Sequence, residues 1–172
     1  MKQNLSVLVL TDHRNHSESN SLYALCTELR RQPGVQHVQV ASRSNPANDD
    51  FFYHFRSTQL RAWALEGEMS FVHANYRFLQ ETVPADVRDF DWIWLRLPYP
   101  VPEGFFDFLR REVGEERIFN RPSGIEETGS KAFLTQFPEW CPDVQLCHTY
   151  EEVEAMQRRY PIVLKPLRSY GG

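Results

Sequence analysis

An α/β fold built on an open, mainly parallel sheet is the class this sequence predicts, and three observations predict it. Leu5–Leu10 is a continuous apolar run rich in Val and Leu, as a strand buried on both faces requires. An amphipathic segment separates it from a second apolar run, giving a β-α-β opening whose right-handed crossover makes the two strands parallel neighbours. Asp91–Leu97, with Trp92, Ile93, Trp94 and Leu95, is a third strong strand, and a helical pattern follows it as well.

In chain order, a polar loop from Thr11 to Asn20 follows the first strand. Leu22, Leu25, Cys26 and Leu29 then recur at i, i+3, i+4 and i+7, the stripe of an amphipathic helix, with Ser19 or Ser21 as N-cap. Pro33-Gly34 ends it. Val38 and Val40 alternate with polar residues, which predicts a strand over Val35–Ala41. Ser42–Asp50 is polar and rich in turn formers, hence a loop. Residues 51–88 carry no clean period: the cluster Phe51, Phe52, Tyr53 and Phe55, then Leu60–Leu65 and Met69–His73 around Glu66-Gly67-Glu68, fit a hairpin or two short helices, with helical structure after residue 72.

The Asp91–Leu97 strand ends in Arg96. Pro102-Glu103 opens a helix with Phe106, Leu109 and Val113 on one face, Pro and Glu suiting its first turn. Phe105, Phe106 and Phe108 are core candidates. Ile118–Asn120 is a short strand, and near Asn120 the style of the sequence changes, so a β/α domain over residues 1–119 and a smaller mixed unit over 120–172 are expected. In the second unit Ser130 caps a short helix from Lys131 to Phe137. Val144–Cys147 alternates like a strand. Thr149-Tyr150-Glu151-Glu152 is a capping box ahead of a helix bearing Val153 and Met156, and Ile162–Leu164 is a closing strand.

Composition narrows the function classes. The 172 residues are 41% hydrophobic and 13% aromatic, the mark of a folded chain. A formal net charge of -4 with scattered Lys and Arg offers no general attraction to nucleic acid or to an anionic membrane. Three cysteines, Cys26, Cys141 and Cys147, form no CxxC and no zinc spacing, and Cys26 falls on the apolar stripe, where a buried free thiol is expected. The Leu5–Leu10 run is too short for a signal-peptide core or a membrane span, so a cytoplasmic protein is expected.

Few residues carry chemistry by themselves. Ile162-Val163-Leu164-Lys165-Pro166-Leu167 runs on to Gly171-Gly172, and paired glycines let backbone N–H groups close around phosphate oxygens. Taken alone, this pattern is better explained by a surface lysine and a solvated turn, and it lacks the spacing of a P-loop or a dinucleotide fingerprint. His13 and His16 flank the loop after the first strand, at the edge where open α/β sheets bind ligands, but as a metal pair they lack a third ligand. Glu126-Glu127 and Glu151-Glu152 are read as solvated acids. A glycine pair is a poor place for a domain to finish, so the chain is expected to be the front part of a nucleotide-using enzyme.

A longer ordered pattern changes the odds. Asn120-Arg121-Pro122-Ser123-Gly124-Ile125, Lys131, Phe133, Phe137, Pro142, Thr149 and then Lys165-Pro166-Leu167 with Gly171-Gly172 resembles the bacterial glutathione synthetases and their relatives in the ATP-grasp superfamily. Upstream, Asp91-Trp92-Ile93-Trp94-Leu95-Arg96-Leu97-Pro98-Tyr99-Pro100 looks like that family's strand ending in Arg before a proline-rich turn. The resemblance spans residues 91–172. Over 1–41 it rests on the strand–helix–strand layout alone.

The resemblance implies a Rossmann-like pre-ATP-grasp domain followed by the first part of an α+β ATP-grasp subdomain. By the same token, Lys131 and Lys165 match the two lysines that reach the nucleotide phosphates, Gly171 and Gly172 the start of the lid over them, and Arg96 a cleft-edge position near a substrate carboxylate or acyl phosphate. From the residues alone, Arg96 is equally an ordinary strand-end ion-pair partner. Where relatives often carry Asp-Gly before the glycine pair, this chain has Arg168-Ser169-Tyr170. The implied activity is an ATP-dependent carboxylate–amine ligase with an acyl-phosphate mechanism. The first-choice substrates are γ-glutamylcysteine and glycine, small molecules rather than nucleic acid or membrane. ATP and Mg2+ are the implied cofactors, the metal ligands being expected downstream of residue 172, and a homo-oligomer is a possible assembly. The 172 residues alone are then expected to be inactive. Another ATP-grasp amino-acid or peptide ligase, or a non-catalytic β/α binding module ending near residue 172, are the alternatives.

Overall fold

A computed structural model describes residues 4–167, which fall into two compact units, Met1–Pro122 and Ser123–Gly172. The first holds a six-stranded mixed sheet, mostly parallel. Its strands are β1 (Leu5–Thr11), β2 (Val35–Ser42), β3 (Gln59–Ala64), β4 (Thr82–Asp86), β5 (Trp92–Leu95) and β6 (Ile118–Phe119), in the order β4-β3-β2-β1-β5-β6. β1 pairs in parallel with β2 and β5, and β5 with β6, while β3 and β4 extend the sheet antiparallel beyond β2. The expected α/β class and the pairing of Leu5–Leu10 beside Val35–Ala41 are both observed.

Two crossovers cover the two faces. Helix α1 (Leu22–Arg31) connects β1 to β2, and, after a short helix α2 (Asp49–Phe52), helix α3 (Phe105–Val113) lies between β5 and β6. Because β1→β2 and β5→β6 step in opposite directions across the sheet, right-handed crossovers put α1 and α3 on opposite faces. Val9, Val38 and Val40 meet Leu22, Tyr23 and Cys26 of α1, together with Leu65, Met69 and Phe78. Leu8 and Leu10 alternate with Val9 and are fully buried on the other face. A set of packed rings, Phe51, Phe52, Phe105 and Phe108, is buried on the α3 side, with centroids 4.9–6.4 Å apart.

Several expectations are corrected in detail. The α1 stripe is Leu22, Tyr23 and Cys26 with half-buried Leu29, whereas Leu25 is 44% exposed. Neither serine caps this helix through its side chain. Asn20 Oδ1 accepts from Leu22 N at 2.9 Å instead. Gly34 turns the chain into β2 at φ 93°, a conformation a Cβ would strain. Residues 51–88 contain an antiparallel pair, but it is β3 with β4, separated by a loop that includes a 3-10 turn at His73–Phe78. Phe105, Phe108, Leu109 and Val113 form the buried face of α3, so Leu109 and Val113 lie there as expected while Phe106 is only half buried.

Helix α4 (Pro122–Thr128) starts on the last residue of the first unit, and the second continues from it through a 3-10 turn at Lys131–Gln136 to α5 (Tyr150–Gln157). Ser130 Oγ accepts from Ala132 N, and Thr149 and Glu152 form the expected capping box. Val144–Cys147 and Ile162–Leu164 are not strands. A strand needs a laddered partner, and among the described residues of this unit there is none. Val163 and Leu164 are accordingly 76% and 66% exposed. No helix among the described residues is long and apolar enough to cross a membrane.

Candidate functional site

The sheet has a topological switch point between β1 and β5, where the chain steps away in opposite directions. In open α/β sheets the crevice outside the carboxyl ends of such strands receives ligands. Register decides what lines it here. Thr11 pairs with Ser42 and Leu10 with Leu95, so the loops leaving β1, β2 and β5 emerge level with one another. They bring Asp12, His13 and His16, then Arg43 and Ser44, then Arg96 to one rim.

Asp12 is the hub of that rim and is almost fully buried. Arg43, also buried, donates Nε and Nη2 to Asp12 Oδ2 at 3.1 and 2.9 Å, and its Nη1 to Pro100 O at 2.6 Å. Arg14 donates Nε and Nη2 to the same carboxylate at 3.3 and 3.1 Å, and Ser44 Oγ hydrogen-bonds to it. Burial alone would raise the Asp12 carboxyl. Hydrogen bonds from Arg14, Ser44 and Arg43 outweigh it and hold the group well below the usual carboxylate range.

The two histidines sit behind this hub with different partners. His13 Nδ1 lies 2.7 Å from Ser42 Oγ, and its ring stacks on Phe78 at 5.6 Å. His16 Nε2 lies 2.9 Å from Thr11 Oγ1 and Nδ1 2.9 Å from Tyr23 Oη. Burial lowers both imidazoles. His16 falls to about 4, with His13 and the Arg96 guanidinium adding to the effect against an opposing pull from Asp12. Both rings are hydrogen-bonded within the protein, and among the described residues no group of three or more His, Cys, Asp or Glu gathers as a metal site would.

Arg96 stands on the β5 side of the switch point. Its N–H donates to Leu10 O at 2.8 Å, its Nη2 to Ser21 Oγ at 3.0 Å, and its guanidinium lies 5.7 Å from the centroid of Trp94. Among the described residues its side chain meets a hydroxyl and an indole, not the carboxylate that a strand-end ion pair would supply.

Lys131 and Lys165 belong to the second unit. Lys131 N donates to Leu167 O and Lys131 Nζ to Pro166 O, both at 2.9 Å, so this lysine lies against the residues that directly follow Lys165. Lys165 is exposed. Gly171 and Gly172 lie outside the described residues. Glu126 and Glu127 are exposed, and Glu152 serves the α5 cap, accepting from His148 N and Thr149 N.

Sequence reasoning missed Asp12, Arg43 and Ser44. The signal available was positional: the Thr11-Asp12-His13-Arg14 and Ser42-Arg43-Ser44 loops follow strands read as parallel neighbours, so they had to share an edge.

No protein-family model matches the chain. It is similar to a glutathione synthetase of Brucella melitensis biotype 1, 28% identical over 109 residues, covering 61% of this chain and 35% of that protein. A glutathione synthetase of Gloeobacter violaceus is also 28% identical, over 92 residues, covering 48% of this chain and 28% of the other. The likeness is distant and partial. The matched stretch thus spans about a third, or less, of the length of these curated relatives.

Proposed function

We propose that this chain is the N-terminal part of an ATP-dependent carboxylate–amine ligase resembling glutathione synthetase. One observation carries the reading beyond the similarity of the two relatives: Lys131 is hydrogen-bonded to the backbone just after Lys165. The segment bearing Lys131 thereby lies beside the one bearing Lys165, a neighbourhood that supports reading the two lysines as a clamp on a polyanion. Each charge-assisted hydrogen bond from an ammonium to a phosphate oxygen contributes about 1.5–3 kcal/mol.

The donor set fits nucleotide phosphates. Lys131 and Lys165 would hold them and offset their charge, and Gly171 and Gly172 would contribute backbone N–H groups. When bound, ATP supplies the phosphoryl group that activates a substrate carboxylate for attack by an amine. Arg96 would orient that carboxylate through its planar fork. Among the described residues no group of three or more His, Cys, Asp or Glu gathers, so they offer Mg2+ no ready-made set of protein ligands. γ-Glutamylcysteine and glycine are the substrates of first choice, and the protein is read as cytoplasmic.

The test has two arms. Nucleotide affinity is measured by calorimetry on the wild type and on Lys131→Ala and Lys165→Ala, each expected to weaken ATP binding about tenfold or more, since 1.4 kcal/mol is a factor of ten. ADP release is then followed with γ-glutamylcysteine and glycine in the protein as encoded. Unchanged affinity in both lysine variants sinks the clamp. ATP binding with no turnover of any carboxylate–amine pair favours a binding module.

A further inference from the structure

We infer that Arg43 is a positioning residue: it locks the loops after β1, β2 and β5 into one rim, and its contact with Pro100 fixes the segment that follows Arg96. The case begins with that segment. Residues 97–103 read Leu-Pro-Tyr-Pro-Val-Pro-Glu, so three of seven positions have no N–H to donate. A backbone so poor in donors has few hydrogen bonds of its own to make. Its first anchor is the Arg96 N–H on Leu10 O, and its last is Phe105 N–H closing on Pro102 O. Midway, Pro100 O accepts from Arg43 Nη1 at 2.6 Å.

Arg43 can reach across because its other two donors are seated. Nε and Nη2 grip Asp12 Oδ2, and the Arg43 N–H donates to Thr11 O at 2.8 Å. The guanidinium side chain is 6% exposed and the Asp12 side chain 1%. One planar group therefore ties three loops, and only arginine has a fork that spans a carboxylate and a carbonyl at fixed angles.

Stability alone is a weak reason for this pair. Apolar groups of similar volume often replace a buried ion pair with no loss, because desolvation offsets the attraction. What apolar groups cannot supply is a directional bond to Pro100 O. The pair sits at the switch point rather than in the apolar core, and the segment it anchors begins at Arg96. That Arg96 meets a substrate carboxylate rests on the ligase reading above; the interlock does not.

Backbone 15N relaxation on the 172-residue chain tests the interlock, comparing wild type with Arg43→Lys, Arg43→Met and the double variant Asp12→Asn/Arg43→Met. The double variant is included because Arg43→Met leaves a buried carboxylate short of its partner. Order parameters at Leu97, Tyr99, Val101 and Glu103 should fall from about 0.85 to below about 0.6 in all three variants, with β1, β2 and α1 unchanged. Lysine should fail to rescue. Wild-type values at those four residues in the double variant overturn the proposal, and so does an even loss of order across the whole sheet, which marks a merely structural role. In the protein as encoded, Arg43→Lys should raise KM for the carboxylate substrate about tenfold and leave KM for ATP unchanged. An unchanged carboxylate KM despite a mobile loop overturns the link to the substrate. A wild type that turns over no carboxylate–amine pair sinks the ligase reading and leaves the relaxation result to decide the interlock.

Discussion

His16 should make the stability of this protein fall on mild acidification. In the unfolded chain its imidazole has the ordinary pKa of 6.5, whereas in the folded protein burial and the neighbouring His13 and Arg96 lower it to about 4. Between those values the unfolded state binds more protons, so stability rises with pH there. The contribution is complete above pH 6.5 and is lost as pH falls towards about 4. At 1.36 kcal/mol per tenfold step in acidity, that interval is worth roughly 3 kcal/mol as a ceiling. The ring is only half buried, and solvent screening reduces the figure to about 1–2 kcal/mol. His13 is lowered too and adds in the same direction, so the comparison must isolate one ring. His16→Gln does so, because an amide can still bond to Tyr23 Oη and Thr11 Oγ1 but takes up no proton. Urea unfolding at pH 7 and pH 4.5 should show the wild type losing about 1–2 kcal/mol more than the variant. Equal losses in the two proteins would refute the reasoning.

Three further outcomes can be checked directly. The Cys26 thiol is fully buried and pushed up to about 12, so a thiol reagent at pH 8 should titrate only half-exposed Cys141 and Cys147 in the native protein, and all three after unfolding. Phe51→Ala removes a fully buried ring that packs on Phe52, Phe105 and Phe108, and chemical unfolding should show a loss of about 3–5 kcal/mol. Thr149→Ala deletes one half of the α5 capping box and should cost about 1 kcal/mol of local stability, read as faster amide exchange at Glu152 and Val153.

The parts of the fold legible in the sequence were those where one period ran uninterrupted. β1, buried on both faces from Val7 to Thr11, and β5, with Ile93 and Leu95 buried and Trp92 and Trp94 half-buried, read as unbroken apolar runs, and α1 carries its own stripe and stop. β3 and β4 were not legible, for physical reasons. Gln59–Ala64 puts Trp63 on the same face as Gln59 and Arg61, which blurs its alternation, and Pro84 argues against a strand anywhere but at an edge, which is where β4 lies. Ile162–Leu164 has the composition of a strand but no described partner, and composition does not provide a ladder. At the site, Arg96 follows directly on a strand whose composition is plain, whereas Arg43 gave no local signal. A buried arginine in a polar loop is recognisable only once the strands on either side are known to be neighbours.

The two borders of the sheet bear on how copies of this protein can meet. On one side the outermost strand is β4, whose Pro84 has no hydrogen to offer a newcomer. On the other it is β6, two residues long, with the Phe119 ring laid against Trp92 at 4.7 Å. Neither border is a good template for adding a strand. A contact between two copies of this sheet would thus draw its specificity from side chains on its faces and loops rather than from backbone pairing at either border.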